Sequence, residues 1–487
     1  MQLLDLITIF IFALGIVIMG LSFSGKGRNM KSFFAAGGAV PWAMSGLSLF
    51  MGFFSAGTFV VWGSIAYSLG WIAISIQWTM AIAGFVVGFF IAPRWHKTSA
   101  LTVAEYITRR LGVNTQKTYT YLFLFISLFT TGSFLYPVAK IVEVSTGMPL
   151  DLCILLLGGF CIVYVAAGGL WAVVSTDVLQ FIILTAAVLI VVPLSFGRVG
   201  GVVNFIESIP ATYFNLVNGE YTIGFIIAFG VYNAIFLGGN WAYVQRYASV
   251  NSQSSARKVG FLFGGLYVVS AVLWMLPPMI YRIVNPSLST IDAEGAYLMM
   301  CKEVLPAGLL GLMLSGMVFA TASSLNATLN ISSGVVTNDI FKRLFPQSSD
   351  KTLMRVARIS TIIFGLLAII VALLIPLMGG IVNVVISVAA LTGVPLYLPI
   401  IWTLFSKRQT EYSVITTTLV SLGANAFFKF ITPLWGFGFN RAEEMIVGVA
   451  FPVFCLIAFE LYYKLNHKIS HRYVEYQEWE KENNCIK

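Results

Sequence analysis

The chain has 487 residues, of which 58% are hydrophobic and only 10% charged, and its mean hydropathy is +0.87. Soluble globular domains carry about 25% charged residues, so this composition excludes one and points to a membrane protein with many spans. The net charge of +9 is scattered over loops without forming a basic face, which excludes nucleic-acid binding, and the lack of short alternating strands excludes a barrel.

Thirteen apolar runs are expected to cross the bilayer, near 4–22, 41–66, 71–93, 119–142, 150–168, 176–197, 222–245, 259–281, 305–336, 358–376, 380–404, 412–432 and 444–463. The expected fold class is therefore an all-α polytopic membrane protein with about 13 transmembrane helices, set in the plasma (inner) membrane. No basic leader or small-residue cleavage site opens the chain, so the first run is expected to be retained. With the N-terminus outside and the C-terminus cytoplasmic, 23 of the 29 basic residues fall on the cytoplasmic side. The five cysteines (Cys153, Cys161, Cys301, Cys455 and Cys485) show no paired spacing and read as small fillers, with Cys485 in a polar tail.

The second run, SLFMGFFSAGTFVVWGS, places Gly52, Ser55, Ala56, Gly57 and Thr58 at its centre. The seventh, IIAFGVYNAIFLGGNWAYVQR, is interrupted at Gly230, Gly238 and Gly239. Irregular backbone at membrane depth is tolerated only where protein buries it or it lines a cavity. Two interrupted helices five spans apart are the pattern of an inverted repeat with a solute bound between them; glycines that merely thin helices for packing are the plainer reading.

Between spans three and four, Thr102 and Glu105 form a capping box, Glu105 and Arg109 are one turn apart and Gly112 is a stop. A short amphipathic helix lying along the inner interface is expected there. Asp177, at the expected start of the sixth span, reads as a helix N-cap. In the charged tail, His467 and His471 lack a third ligand for a metal site.

The ninth run holds SGMVFATASSLNATLNISSGVVTN, the most hydroxyl- and amide-rich of the spans. Ala320, Ser323 and Ser324 stand at i, i+3 and i+4 and share a helix face. A carbonyl freed by a local irregularity at Ala320, with the two hydroxyls, would offer a small hard cation three neutral oxygens; close helix packing through small residues is the alternative.

The motifs FSAGTF (54–59), TVAEYITRRLG (102–112), GGLWAVVSTDVLQ (168–180), NWAYVQRY (240–247) and ATASSLNATLNISSGVVTNDIFK (320–342) occur in this order. Together they make the chain resemble the sodium:solute symporter family, whose members carry sugars, amino acids, carboxylates, vitamins and anions. The resemblance implies a leucine-transporter-like fold, with spans two to six (41–200) and seven to eleven (201–410) as inverted repeats. Around them lie a first helix and loop (1–40), two peripheral helices (411–464) and a cytoplasmic tail (465–487).

The same resemblance implies a sodium site made of the Ala320 carbonyl, the Ser323 and Ser324 hydroxyls and the carbonyls of Met51 and Phe54. A second ion site found in some members would need serines where Asn326 and Ala327 stand, though its Asp is retained as Asp177, an ion or gating candidate. Candidate solute contacts are Phe53, Thr58, Gln77, Asn240 and Tyr243, and a lysine that sugar-carrying relatives place in the eighth span is missing around Tyr267 and Val268. Sodium is then the coupling ion, a small organic solute the cargo and the lipid bilayer the surroundings, with no nucleic acid and no obligate protein partner inferred. A proton-coupled transporter of the same fold, or a transporter-like sensor, remains the alternative. A membrane-embedded enzyme would need a polar catalytic cluster, and the spans contain no histidine.

Overall fold

The computed structural model describes residues 2–24, 40–100, 102–164 and 170–484, and among these every regular element is a helix. In chain order they are α1 (Leu3–Ser24), α2 (Trp42–Met51), α3 (Thr58–Leu69), α4 (Trp71–Lys97), α5 (Val103–Leu111), α6 (Val113–Thr146), α7 (Leu150–Tyr164) and α8 (Leu170–Arg198). There follow α9 (Ile223–Gly239), α10 (Trp241–Ala248), α11 (Gln253–Val284), α12 (Leu309–Val335), α13 (Asp350–Leu374), α14 (Ile381–Thr403), α15 (Glu411–Ala426), α16 (Arg441–Leu465) and α17 (His471–Asn484). By length and composition, eight described helices suffice to cross a bilayer, and α9 with α10, bent by 59°, makes a ninth. Shorter apolar stretches lie in α1, α2, α3, α7 and α12.

Small residues decide which helices touch most closely. Gly84 and Gly88 of α4 face Gly260 and Gly264 of α11, where an added Cβ on Gly84 would stand 2.7 Å from the Gly264 nitrogen and one on Gly260 2.5 Å from the Gly88 Cα. Two small-xxx-small pairs thus let these backbones meet directly, which is how helices associate when lipid supplies no hydrophobic drive. Helix α11 packs against α2 and α4, and α4 against α9, while α12 packs against α1, α6, α8 and α13. Asp5 of α1 ties the start of α12, its Oδ1 accepting from the amides of Gly308 (2.7 Å) and Gly311 (3.1 Å). A carboxylate there satisfies two amides that a helix start leaves open.

The short helix α5 forms as its sequence dictates. The Thr102 hydroxyl accepts from Glu105 N at 3.1 Å, Glu105 pairs with Arg109 and Gly112 takes φ +98°. The helix is not simply laid on the interface, because α17 and the α14–α15 loop cover it. Arg110, 1% exposed, donates to the carbonyls of Ser406 (3.0 Å) and Gln409 (3.3 Å) and lies over the Tyr473 ring, while Tyr476 packs edge-on against Tyr106.

Two expectations are corrected here. Helix α8 begins at Leu170, so Asp177 lies about two turns inside it and is no N-cap. Helix α12 runs unbroken through Ala320, and its irregular turn comes later, at Val336–Phe341. Cys153 and Cys301 are buried free thiols and Cys455 is a half-buried one; the Cys161 side chain and Cys485 lie outside the described residues.

Candidate ion and solute site

The interruption in the second run is real backbone irregularity between α2 and α3. The amide of Gly52 reaches Ser48 and Leu49 carbonyls, and those of Phe53 and Phe54 both reach Phe50. Hydrogen bonding resumes from Thr58 N to Ser55 O at 3.0 Å, and the Thr58 hydroxyl donates to the Phe53 carbonyl. None of these bonds across the break is accepted by the carbonyl of Met51 or Phe54.

One further bond anchors the break to α12. Ala56 N donates to Thr321 Oγ1 at 3.0 Å, and that hydroxyl donates to the Met317 carbonyl at 2.9 Å. Thr321, fully buried, was not among the residues singled out from the sequence, although it sits inside the ATASS motif. Beside it, the Ser324 hydroxyl donates to the Ala320 carbonyl at 3.4 Å. No helix break frees that carbonyl; its second lone pair, beyond the one an α-helix uses, faces Ser324. The side chains of Ser323, Asn326 and Ala327 lie outside the described residues.

Two cavities meet at this junction. The larger, about 180 Å³, is lined from α3 and the break by Phe53, Ser55, Thr58 and Trp62, and from α4 by Ile76, Gln77 and Met80. Tyr232, Asn233 and Phe236 of α9, Tyr243 of α10, Tyr267 of α11, and Thr392 and Tyr397 of α14 close it. Helix α6 also contributes Thr130, Ser133 and Phe134, a wall the sequence reading missed. The signal was present as the FTTGSF stretch at 129–134. Among the described residues, no Asp, Glu, Lys or Arg lines this cavity. Gln77 is 3% exposed and its Nε2 has no hydrogen-bond partner.

The second cavity, about 100 Å³, is lined by Ser48, Met51, Asp177, Asn240, Arg246, Ala320, Ser324 and Thr328 among others. Met51, Ala320 and Ser324 of the expected ion site are therefore brought together. Phe54 does not line it; its ring stacks on Trp274 at 4.7 Å. Phe236, Tyr243 and Tyr397 border both cavities, as do Gly52 and, from α6, Ile126, Thr130 and Phe134, and the Phe53 ring lies 5.0 Å from that of Tyr243.

Of the expected solute contacts, Phe53, Thr58, Gln77 and Tyr243 line the larger cavity and Asn240 does not. Asn240 is the hinge of the bent pair. Its Oδ1 accepts from Ala242 N at 3.0 Å as the N-cap of α10, and its Nδ2 donates to the Tyr397 hydroxyl at 3.3 Å. Asp177 accepts the Ser48 hydroxyl at 2.6 Å, joining α8 to α2 at the edge of the second cavity.

Known proteins share this architecture and sequence. The sodium:solute symporter family model matches residues 33–420. A sodium/glucose cotransporter of Vibrio parahaemolyticus is 28% identical over 472 residues, spanning 88% of this chain and 86% of that protein. Sodium/glucose cotransporter 1 of Mus musculus is 25% identical over 515 residues, covering 93% and 76%. Among solved structures, the substrate-bound outward-open state of a Na+-coupled sialic acid symporter superposes with a TM-score of 0.78 at 21% identity, over 94% of this chain and 98% of that one. A helical membrane fold with two cavities at a broken helix, matched by one family model over most of its length, places this chain in the sodium:solute symporter family.

Proposed function

We propose that this transporter couples the inward movement of sodium to uptake of a small uncharged polyhydroxy solute, a sugar or polyol, by alternating access. The observation that carries the reading is the pair of adjoining cavities, one without a charged lining residue among the described residues and one bordered by Met51, Ala320 and Ser324. Sodium would be held by the carbonyls of Met51, Phe54 and Ala320 and the hydroxyls of Ser323 and Ser324, all neutral oxygens that suit a hard monovalent cation. By tying the broken helix to α12, the ion would favour the solute-binding conformation.

Phe53, Thr58, Gln77 and Tyr243 would contact the solute, with the unpartnered Gln77 amide seeking an acceptor on it. A monocarboxylate fits less well, because a charge buried without a counter-charge costs far more than a hydroxyl. Asn240 acts through the hinge and Tyr397, and Asp177 through its bond to Ser48, where it serves gating or a second ion.

This reading includes thirteen spans, inverted repeats at 41–200 and 201–410, an outer N-terminus and residence in the plasma membrane. Energetically one ion suffices: a tenfold sodium gradient is worth about 1.4 kcal/mol, and a 100 mV potential adds about 2.3 kcal/mol. Their sum concentrates a neutral solute roughly five-hundred-fold.

The test is uptake into proteoliposomes for a panel containing glucose, myo-inositol, sialic acid and a simple monocarboxylate, under a sodium gradient, a proton gradient or neither. A sodium-driven signal for a neutral member is expected. Uptake driven by protons and indifferent to sodium would replace this reading with the proton-coupled one.

A further inference from the structure

At the end of the bundle where α5 and α17 dock, most cations have partners. Lys97 meets Glu480, Arg109 meets Glu105, Arg408 meets Glu460 and Arg472 meets Glu475, while Arg110 is spent on carbonyls. Exposed cations without a partner are concentrated in one stretch. Between α12 and the first turns of α13, Lys342, Arg343, Lys351, Arg355 and Arg358 are exposed, and none forms an ion pair or ring contact among the described residues. Apolar side chains stand exposed among them: Leu344 is 68% exposed, Phe345 56% and Met354 58%.

Helix geometry says what this surface meets. Lys351, Arg355 and Arg358 follow i, i+4, i+7 spacing on one face of α13, and the face continues through exposed Ile362, Leu366 and Ile370. An apolar stripe left bare along a membrane helix is turned to lipid tails, so the three cations at its end stand at the depth of lipid headgroups. Lys342 and Arg343 join them from the turn that follows Val336–Phe341, which packs against α13.

We propose that residues 342–358 form a docking surface for anionic phospholipid headgroups of the adjoining leaflet. Unpaired cations beside inserted apolar side chains are what recognises such a surface, whereas cations already neutralised by Glu gain little from it. Because the stretch continues directly from α12, the lipid would also steady the helix that carries Ala320 and Ser324.

The experiment titrates the purified full-length protein, in neutral-detergent micelles, with phosphatidylglycerol and with phosphatidylcholine, and follows the thermal unfolding midpoint. Phosphatidylglycerol should raise the midpoint and phosphatidylcholine should not, with the effect fading in potassium chloride. Lys351→Gln/Arg355→Gln/Arg358→Gln should weaken the response, roughly fivefold per cation removed. Lys97→Gln/Arg472→Gln, at the same end, whose cations are already paired with Glu480 and Glu475, should respond like the wild type. Arg355→Gln alone, expected about fivefold weaker, keeps the test decisive if the triple variant does not fold. An equal response in the α13 variants, equal effects of the two lipids, or a full response to inorganic phosphate alone would each overturn the proposal.

Discussion

The two broken helices start from the same sequence signal, glycine in an apolar run, and end in different structures. Between α2 and α3 the break spans several residues, is closed by the Thr58 hydroxyl and is anchored across to Thr321 of α12. Between α9 and α10 it is one residue, Asn240, whose side chain caps the second half and whose amide reaches Tyr397 of α14. The first brings Met51 into one cavity with Ala320 and Ser324 of α12; the second leaves a 59° bend. A glycine-rich run therefore announces an interruption, and the neighbouring helix decides what it is for.

Substitutions separate the two. The largest effect is expected from Ser324→Ala with Ser323→Ala, which should abolish sodium stimulation of uptake; undiminished stimulation would remove the ion from the first break. Next, Thr321→Val keeps the shape but leaves the buried Ala56 amide without an acceptor, at a cost of about 1–3 kcal/mol. If the Thr321 bond aligns the ion site, the sodium concentration giving half-maximal thermal stabilisation should rise as well.

At the second break, Asn240→Ala removes a helix cap, worth about 1 kcal/mol, and Asn240→Asp retains it. Asn240→Ala should preserve the sodium response, while Asn240→Asp, which adds a carboxylate to the lining of the second cavity, is read by its unfolding midpoint alone; a sodium defect in Asn240→Ala as large as that of the serine variants would merge the two breaks into one site. The smallest pair compares glycines. A Cβ on Gly239 would lie 2.7 Å from the Tyr397 Cβ, and one on Gly52 3.4 Å from the Tyr243 ring and 3.2 Å from the Leu49 carbonyl. Gly239→Ala should therefore lower the unfolding midpoint through about 1–3 kcal/mol of overpacking, while Gly52→Ala, whose φ of −60° suits alanine, should change it little.

Much of the fold was legible because hydropathy and caps are local. Among the described residues the apolar runs fall largely on helices, and Thr102, Glu105 and Gly112 bound α5 almost as written. Asp177 was misread as a cap because a helix start inside a polar–apolar boundary looks the same whether the preceding turns are helical or not. Likewise Ala320 carried the motif but not the irregularity expected of it. Thr321 and the α6 wall escaped because their importance lies in what faces them, which spacing along one helix does not encode.

By itself, the sequence determined that this is a helical membrane protein, that two of its apolar runs are interrupted, and that ATASS and its companion motifs belong to sodium:solute symporters. Those properties depend on composition, on periods of a few residues and on short motifs. Only the tertiary structure decided that the first break is held by Thr321, that Asn240 serves a hinge outside the larger cavity, and that the cations at 342–358 have no ion-pair partner among the described residues and stand at the end of an exposed apolar stripe. Each of these depends on contacts between helices far apart in the chain, whose close approach is set by small residues and buried hydrogen bonds.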